Sequence, residues 1–178
     1  MTLSTDILVG LWLILPAYIA NVTAPLAHGR RYVDGGRKFA GKPFLGKGKT
    51  WEGTLFAIFM GTAAGMVEIS LYPYVNGITS VRGIILPMQT AVSVFALSLG
   101  AMLGDMAGAF IKRQSGIPRG EPAPLLDQLD FVIGAFVVAS PFIELRPLPV
   151  LFVVAFTPLI HLLVNLIGYK LGHKKEPW

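Results

Sequence analysis

The sequence reads as an all-α membrane protein of about five transmembrane helices, one polytopic domain across residues 1–178, with the N-terminus outside and the C-terminus cytoplasmic. Three observations carry this. Of the 178 residues 53% are hydrophobic and only 14% charged, and mean hydropathy is +0.63. A soluble domain of this length cannot bury that much apolar surface. The apolar residues fall into five runs, and the basic residues gather in the polar stretches on one side of those runs.

Crossing the ~30 Å hydrocarbon core takes about 20 apolar residues. The candidate spans are 7–27, 54–75, 84–111, 131–145 and 148–171. The first is kept as a span rather than a signal peptide: no basic segment precedes it, and "AHGRR" follows it in place of a small-residue cleavage site. The second carries Gly61 and Gly65, and the third Gly100, Gly104 and Gly108 at four-residue spacing, ladders that let helix backbones approach closely. The fourth is short and is expected to start near Leu125, with polar residues in its first turns. Pro16, Pro25 and Pro158 mark kinks or ends.

Of the 15 lysines and arginines, thirteen lie in the first loop, the third loop and the C-terminal tail, and only Arg82 and Arg146 lie on the other side. By the positive-inside rule this sets the orientation and a cell-membrane location with the polar motifs at the cytoplasmic face. The net charge of +5 is thus topological, and nucleic acid is not an expected partner. The chain has no cysteine, which excludes disulfides and thiolate metal sites. The sequence leaves a homodimer open.

Ionisable residues at membrane depth are costly and mark functional sites. Asp105 stands near the cytoplasmic end of span three in "GDMAGAFIKR"; Asp127 and Asp130 open span four in "DQLD". Residues three apart share a helix face, and spans three and four are antiparallel neighbours, so the three carboxylates can converge. Oxygen donors without His or Cys suit Mg²⁺ held jointly with substrate phosphates. Charge at a helix N-terminus explains one of Asp127 and Asp130 as a cap, but not Asp105. Lys112 and Arg113 follow Asp105 by two turns and are placed either as interfacial anchors or to grip phosphate.

The first cytoplasmic loop, "DGGRKFAGKPFLGKGKTWEG" over 34–53, mixes glycines at 35, 36, 41, 46 and 48 with four lysines from Lys38 to Lys49. Its "GKGKT" is no P-loop, because Pro43 stands where the first glycine is required and no strand precedes it. It remains a phosphate-binding loop, expected to close over a nucleotide as a lid.

Together, Gly104-Asp105, Lys112-Arg113, and Asp127-Gln-Leu-Asp130 resemble the signature of the membrane CTP:phosphatidate cytidylyltransferase superfamily, and "GKTWEG" resembles its Lys-Lys-Thr-Trp-Glu-Gly element. The small size, Asn21 with Pro25, and the "DGG" loop are most similar to the archaeal branch, the CDP-archaeol synthases. The resemblance covers about 21–134 and departs from the bacterial phosphatidate enzymes at Gly108, Ala109 and Gln128, and at "EPAPLL". It implies CTP, Mg²⁺ and a membrane lipid phosphate as cofactor and partners. Asp105, Lys112 and Asp130 would be catalytic, and Asp105, Asp127 and Asp130 would bind metal. Asn21, Lys49, Thr50, Trp51, Glu52, Lys112 and Arg113 would bind substrate. The implied reaction makes a CDP-lipid and pyrophosphate, with a geranylgeranyl diether glycerol phosphate as acceptor. Phosphatidate as acceptor, or a small transporter or channel, are the alternative readings. A CDP-alcohol phosphotransferase fails because Arg31 precedes Asp34-Gly35 where an Asp is needed.

Overall fold

The computed structural model describes residues 3–170. Among them run five α-helices: α1 (Leu3–Thr23), α2 (Trp51–Ser80), α3 (Ala91–Gln114), α4 (Leu126–Ala139) and α5 (Pro147–Lys170), with a 3₁₀ turn (Ala24–Ala27) after α1. A short antiparallel hairpin, β1 (Lys38–Phe39) with β2 (Lys42–Pro43), lies in the first loop. Residue 171 of the fifth expected span, and Lys174 and Lys175 of the charge count, lie outside the described residues.

The all-α expectation holds, with five helices in the expected order. Three stretches, Leu3–Ala27, Trp51–Ser80 and Ala91–Gln114, are long and apolar enough to cross a membrane. Helix α4 is not: its 14 residues rise only about 21 Å. The fourth expected run, 131–145, is helical only to Ala139, because a turn at Ser140, Pro141 and Phe142 breaks it and 144–146 are not helical. The third run is corrected at its start. Residues 84–90 are apolar but extended, and α3 begins at Ala91. Thr90 accepts from Ser93 N at 3.1 Å while Ser93 Oγ accepts from Thr90 N at 2.8 Å, a reciprocal cap that fixes the helix start. The extended piece is tied down by Trp12 Nε1 donating to Pro87 O and by Asn76 Oδ1 accepting from Leu86 N.

The core lies among α1, α3 and α4, where Leu13, Ile14, Ala17, Leu97, Met102, Phe131, Val132 and Phe136 are buried together. By contrast α2 buries mainly small residues, Gly53, Ala57, Gly61 and Gly65, and turns Leu55, Phe59, Val67, Leu71 and Ile78 outward. Such a face is stable against lipid tails and would be costly in water.

Helices α3 and α4 make the most extensive contact in the molecule. The glycine ladder of α3 explains how. An added Cβ at Gly134 would stand 2.6 Å from Gly104 Cα, and one at Gly100 would stand 2.8 Å from Ala135 Cα. Backbones meet here without side chains between them. This close crossing fixes the relative height of Asp105 on α3 and Asp127 and Asp130 on α4.

Candidate active site

Each acid has its own anchor. Lys49 Nζ donates to both oxygens of Asp105 at 2.6 and 2.5 Å. Lys112 Nζ donates to both oxygens of Asp127 at 2.8 and 2.7 Å, and Ala123 N donates to Asp127 Oδ2 at 2.9 Å. Asp127 stands in the first turn of α4, where negative charge is favoured, but no side chain caps that helix, and the partners of Asp127 are Lys112 and the backbone N–H of Ala123 before it. Asp130, one turn further along α4, lays its carboxylate into the space left by Gly108, where an added Cβ would stand 2.8 Å from Asp130 Cγ. Phe131 N donates to Asp130 Oδ1 at 2.6 Å.

The three carboxylates form a shared wall between two cavities. One, of about 140 Å³, is ringed by Gly46, Lys47, Gly48, Lys49, Lys112, Arg113 and Arg119. The other, of about 450 Å³, lies between α1 and α5 and is lined by Tyr18, Ile19, Asn21, Val22, Pro25, Phe131, Thr157, Ile160 and His161. The first cavity is cationic and the second mostly apolar. A third space, about 570 Å³, opens beside the hairpin and shares Gly46, Lys47, Arg113 and Arg119 with the cationic one.

The loop over the cationic cavity is folded, with a closed neck. Val33 N donates to Lys49 O at 3.0 Å and Trp51 N to Arg31 O at 2.9 Å. Inside it, buried Asp34 accepts from Gly36 N at 2.9 Å, Leu45 N at 2.9 Å and Gly46 N at 3.0 Å. Burial pulls the Asp34 pKa upward, but the backbone N–H groups of Leu45, Gly36 and Gly46 outweigh it and hold the carboxyl below its ordinary value. Positive φ angles at Gly35, Gly36 and Gly46 allow the tight path this needs. The hairpin docks on the end of α3: Phe39 and Phe44 pack on Phe110 with ring centroids 5.8 and 4.9 Å away. Gln114 Nε2 donates to Pro43 O at 3.2 Å, and Lys42 Nζ to Gln114 O.

Of the residues singled out from sequence, Asp105, Asp127, Asp130, Lys49, Lys112 and Arg113 all line the cationic cavity. Arg113 Nε is buried with no hydrogen-bond partner, a donor placed for an anion. Asn21 lies apart from them, in the apolar cavity. Thr50, Trp51 and Glu52 line neither. Thr50 caps α2, its side chain accepting from Gly53 N at 3.2 Å, and Glu52 Oε1 accepts from Arg31 Nε at 3.1 Å. Trp51 is half exposed at the helix start. Sequence reasoning gave Asp34 and His161 no role of their own, took Lys47 as one lysine of the phosphate-binding loop, and counted Arg119 only for topology.

Among the described residues no three His, Asp or Glu side chains stand together as a ready metal cluster; lysine ammonium groups occupy Asp105 and Asp127 instead. The donor set nevertheless suits a hard cation, since the three side chains on the shared wall offer carboxylate oxygens alone.

The CarS-like CDP-archaeol synthase family matches residues 3–178. A CDP-archaeol synthase of Thermococcus gammatolerans is 44% identical over 94% of this chain and 94% of its own length. That of Halobacterium salinarum is 42% identical over the whole of both chains. The solved structure of an intramembrane enzyme for archaeal membrane lipid biosynthesis superposes with a TM-score of 0.75 at 42% identity, covering 89% of this chain and 94% of that one. With its apolar helices and this likeness the chain is a membrane-embedded protein, and it belongs to the CDP-archaeol synthase family.

Proposed function

We propose that the protein transfers CMP from CTP to a membrane lipid phosphate at the cytoplasmic face, the acceptor being 2,3-bis-O-(geranylgeranyl)-sn-glycerol 1-phosphate. The observation that carries this is the shared wall of Asp105, Asp127 and Asp130 between a cationic and an apolar cavity. A triphosphate is drawn to Lys47, Lys49, Lys112, Arg113 and Arg119, and isoprenoid chains to the space between α1 and α5. The reacting groups then meet at the wall. The basic residues in the loops at this end support the cytoplasmic orientation.

An oxygen of the acceptor phosphate attacks the α-phosphorus of CTP, forming a new P–O bond. The bond to the oxygen bridging the α- and β-phosphorus breaks, and its electron pair leaves on pyrophosphate. The acceptor is already an anion at neutral pH, so no base is needed. The residues position the two phosphates and neutralise charge. Asp105, Asp127 and Asp130 would hold Mg²⁺ together with nucleotide phosphate oxygens, and the ion would supply neutralisation of negative charge there. Lys49 and Lys112, released from their carboxylates, turn to phosphate oxygens, and Arg113 offers its free Nε. Thr50, Trp51 and Glu52 act on substrate by fixing the loop neck and the start of α2.

The test is direct. The pure full-length protein, given labelled CTP, Mg²⁺ and a panel of lipid phosphates, yields a CDP-lipid and pyrophosphate in equal amounts, fastest with the unsaturated diether acceptor. Faster turnover of phosphatidate would overturn the acceptor, and absence of any CDP-lipid would overturn the reaction. Asp105→Asn, Asp127→Asn and Asp130→Asn each lower turnover by about 100-fold or more, beyond the 10–100-fold usual for residues that only support a ligand.

A further inference from the structure

We infer that the hairpin of the first loop docks on the bilayer itself, with Phe39 seated at the headgroup–acyl boundary beside α3. This goes beyond the CMP-transfer reading and does not depend on it. The outer stripe of α3 is the starting point. Leu103, Ala107 and Ile111 recur at four-residue spacing and are exposed, while Met102, Gly104, Gly108 and Ala109 on the other side are buried. On a helix long and apolar enough to cross a membrane, an exposed apolar stripe lies against lipid. Phe110 stands at the edge of that stripe, next to Ile111 and one turn from Ala107. The 24 residues of α3 rise about 36 Å, a little more than the ~30 Å hydrocarbon core. Phe110, one turn before the helix ends at Gln114, is therefore close to the boundary.

The hairpin brings two more rings to this place. Phe39 and Phe44 both pack on Phe110, and neither lines the cationic cavity, the apolar cavity or the space beside the hairpin. Arg37, Lys38, Lys42 and Pro43 do line that space, so the hairpin turns its cations towards it and its rings towards α3. The turn between the strands takes positive φ at both Ala40 and Gly41, the tight form that keeps two strands paired and gives Phe39 a fixed place. Packed as it is, Phe39 is still 55% exposed. A lone exposed ring needs no explanation, but this one continues a stripe that already lies against lipid. Seating it in the boundary removes its outer face from water. Segments that lie in the interface divide their apolar and basic residues in the same way. The loop that carries Lys49 is thereby held level with the membrane surface.

The experiment uses the full-length protein in phosphatidylcholine nanodiscs. Phe39→Trp is compared with Lys38→Trp, the control on the cavity side of the hairpin, after subtracting the emission of Trp12, Trp51 and Trp178. Wild-type helical content and thermal midpoint certify folding. If Phe39→Trp fails that check, Phe39→Cys carrying a nitroxide replaces it, since the chain has no cysteine of its own. Lipids brominated near the headgroup end of their chains remove most of the emission added at position 39 and little of that added at 38, and aqueous iodide does the reverse. The nitroxide at 39 likewise collides more with oxygen than with a water-soluble nickel chelate. Emission at 39 that iodide quenches and bromine does not would mean that the ring faces water. Emission that neither reaches would mean that protein covers the ring, as in a second copy of this chain. Either result, equal bromine quenching at 38 and 39, or a nitroxide that meets the chelate more than oxygen, overturns the inference.

Discussion

Lys49 and Asp105, 56 residues apart in sequence, form a two-pronged ion pair with Nζ 2.6 and 2.5 Å from the carboxylate oxygens. It joins the glycine-rich loop, just before the start of α2, to the middle of the site. Both side chains are about three-quarters buried, so the pair is poorly screened.

Lys49→Ala leaves Asp105 without its cation and the loop without its inner anchor. Losing one partner of such a pair costs about 2 kcal/mol or more. Trypsin cleavage at Arg37, Lys38 and Lys42 is then faster in the variant than in wild type without nucleotide, and CMP transfer falls at least tenfold, since about 1.4 kcal/mol is a factor of ten. Mg·CTP slows wild-type cleavage at the same sites while Mg²⁺ alone does not. Equal cleavage with and without Mg·CTP would mean the loop is no lid.

Lys112 is bound to Asp127 and is only 12% exposed, which is not the situation of a lysine reaching for the membrane surface. Lys112→Ala should raise the KM for CTP and lower kcat, each by about tenfold, as expected for loss of a charge-assisted contact made in both ground and transition states. An unchanged steady-state profile would return Lys112 to the role of an interfacial anchor.

The acids were legible in the sequence because ionisable residues in apolar runs have few uses, and three-residue spacing on one helix set two of them on one face. The glycine ladder was legible too, since small residues at four-residue spacing have a single geometric consequence. Residues 84–90 were not, because hydropathy is the same for an apolar helix and an apolar extended segment. The signal was Pro87 followed by the Thr90–Ser93 cap. Asp34 could not be read either: its partners Leu45 and Gly46 are 11 and 12 residues away and reach it only after the glycines turn the chain back. His161, a single histidine in an apolar run, has no spacing to betray it and becomes visible only when α5 is placed beside α1.

Gly108 separates packing from chemistry. An alanine there meets the Asp130 carboxylate, whereas an alanine at Gly100 meets only the backbone and apolar side chain of α4. Gly100→Ala should therefore cost about 1–3 kcal/mol of stability by overpacking, read as a lower thermal midpoint. Gly108→Ala should displace a carboxylate that can move, with a smaller loss of stability and a larger loss of turnover. If the two variants lose stability and activity in the same proportion, Asp130 is not positioned by the gap at Gly108.

Asp34 makes the loop fold sensitive to acid, and the sign follows from its lowered pKa. The ordinary value is 3.8, and in the folded loop it lies below that. The carboxylate's contribution is fully present above pH 3.8 and is lost as pH falls through the lower, folded value. The amides of Leu45 and Gly46, which donate to Asp34, report this directly. Their hydrogen-exchange protection factors should stay constant from neutral pH down to about the ordinary carboxylate range and fall only below it. Asp34→Asn replaces a charged acceptor by a neutral one at every pH. Hydrogen bonds to charged groups contribute about 1.5–3 kcal/mol against roughly 1 for neutral ones. Protection of both amides should therefore drop several-fold in the variant and no longer change on acidification. Retained protection in Asp34→Asn, or the same acid response in both proteins, would show that the hairpin is held by Phe110, Gln114 and Lys49 without help from Asp34.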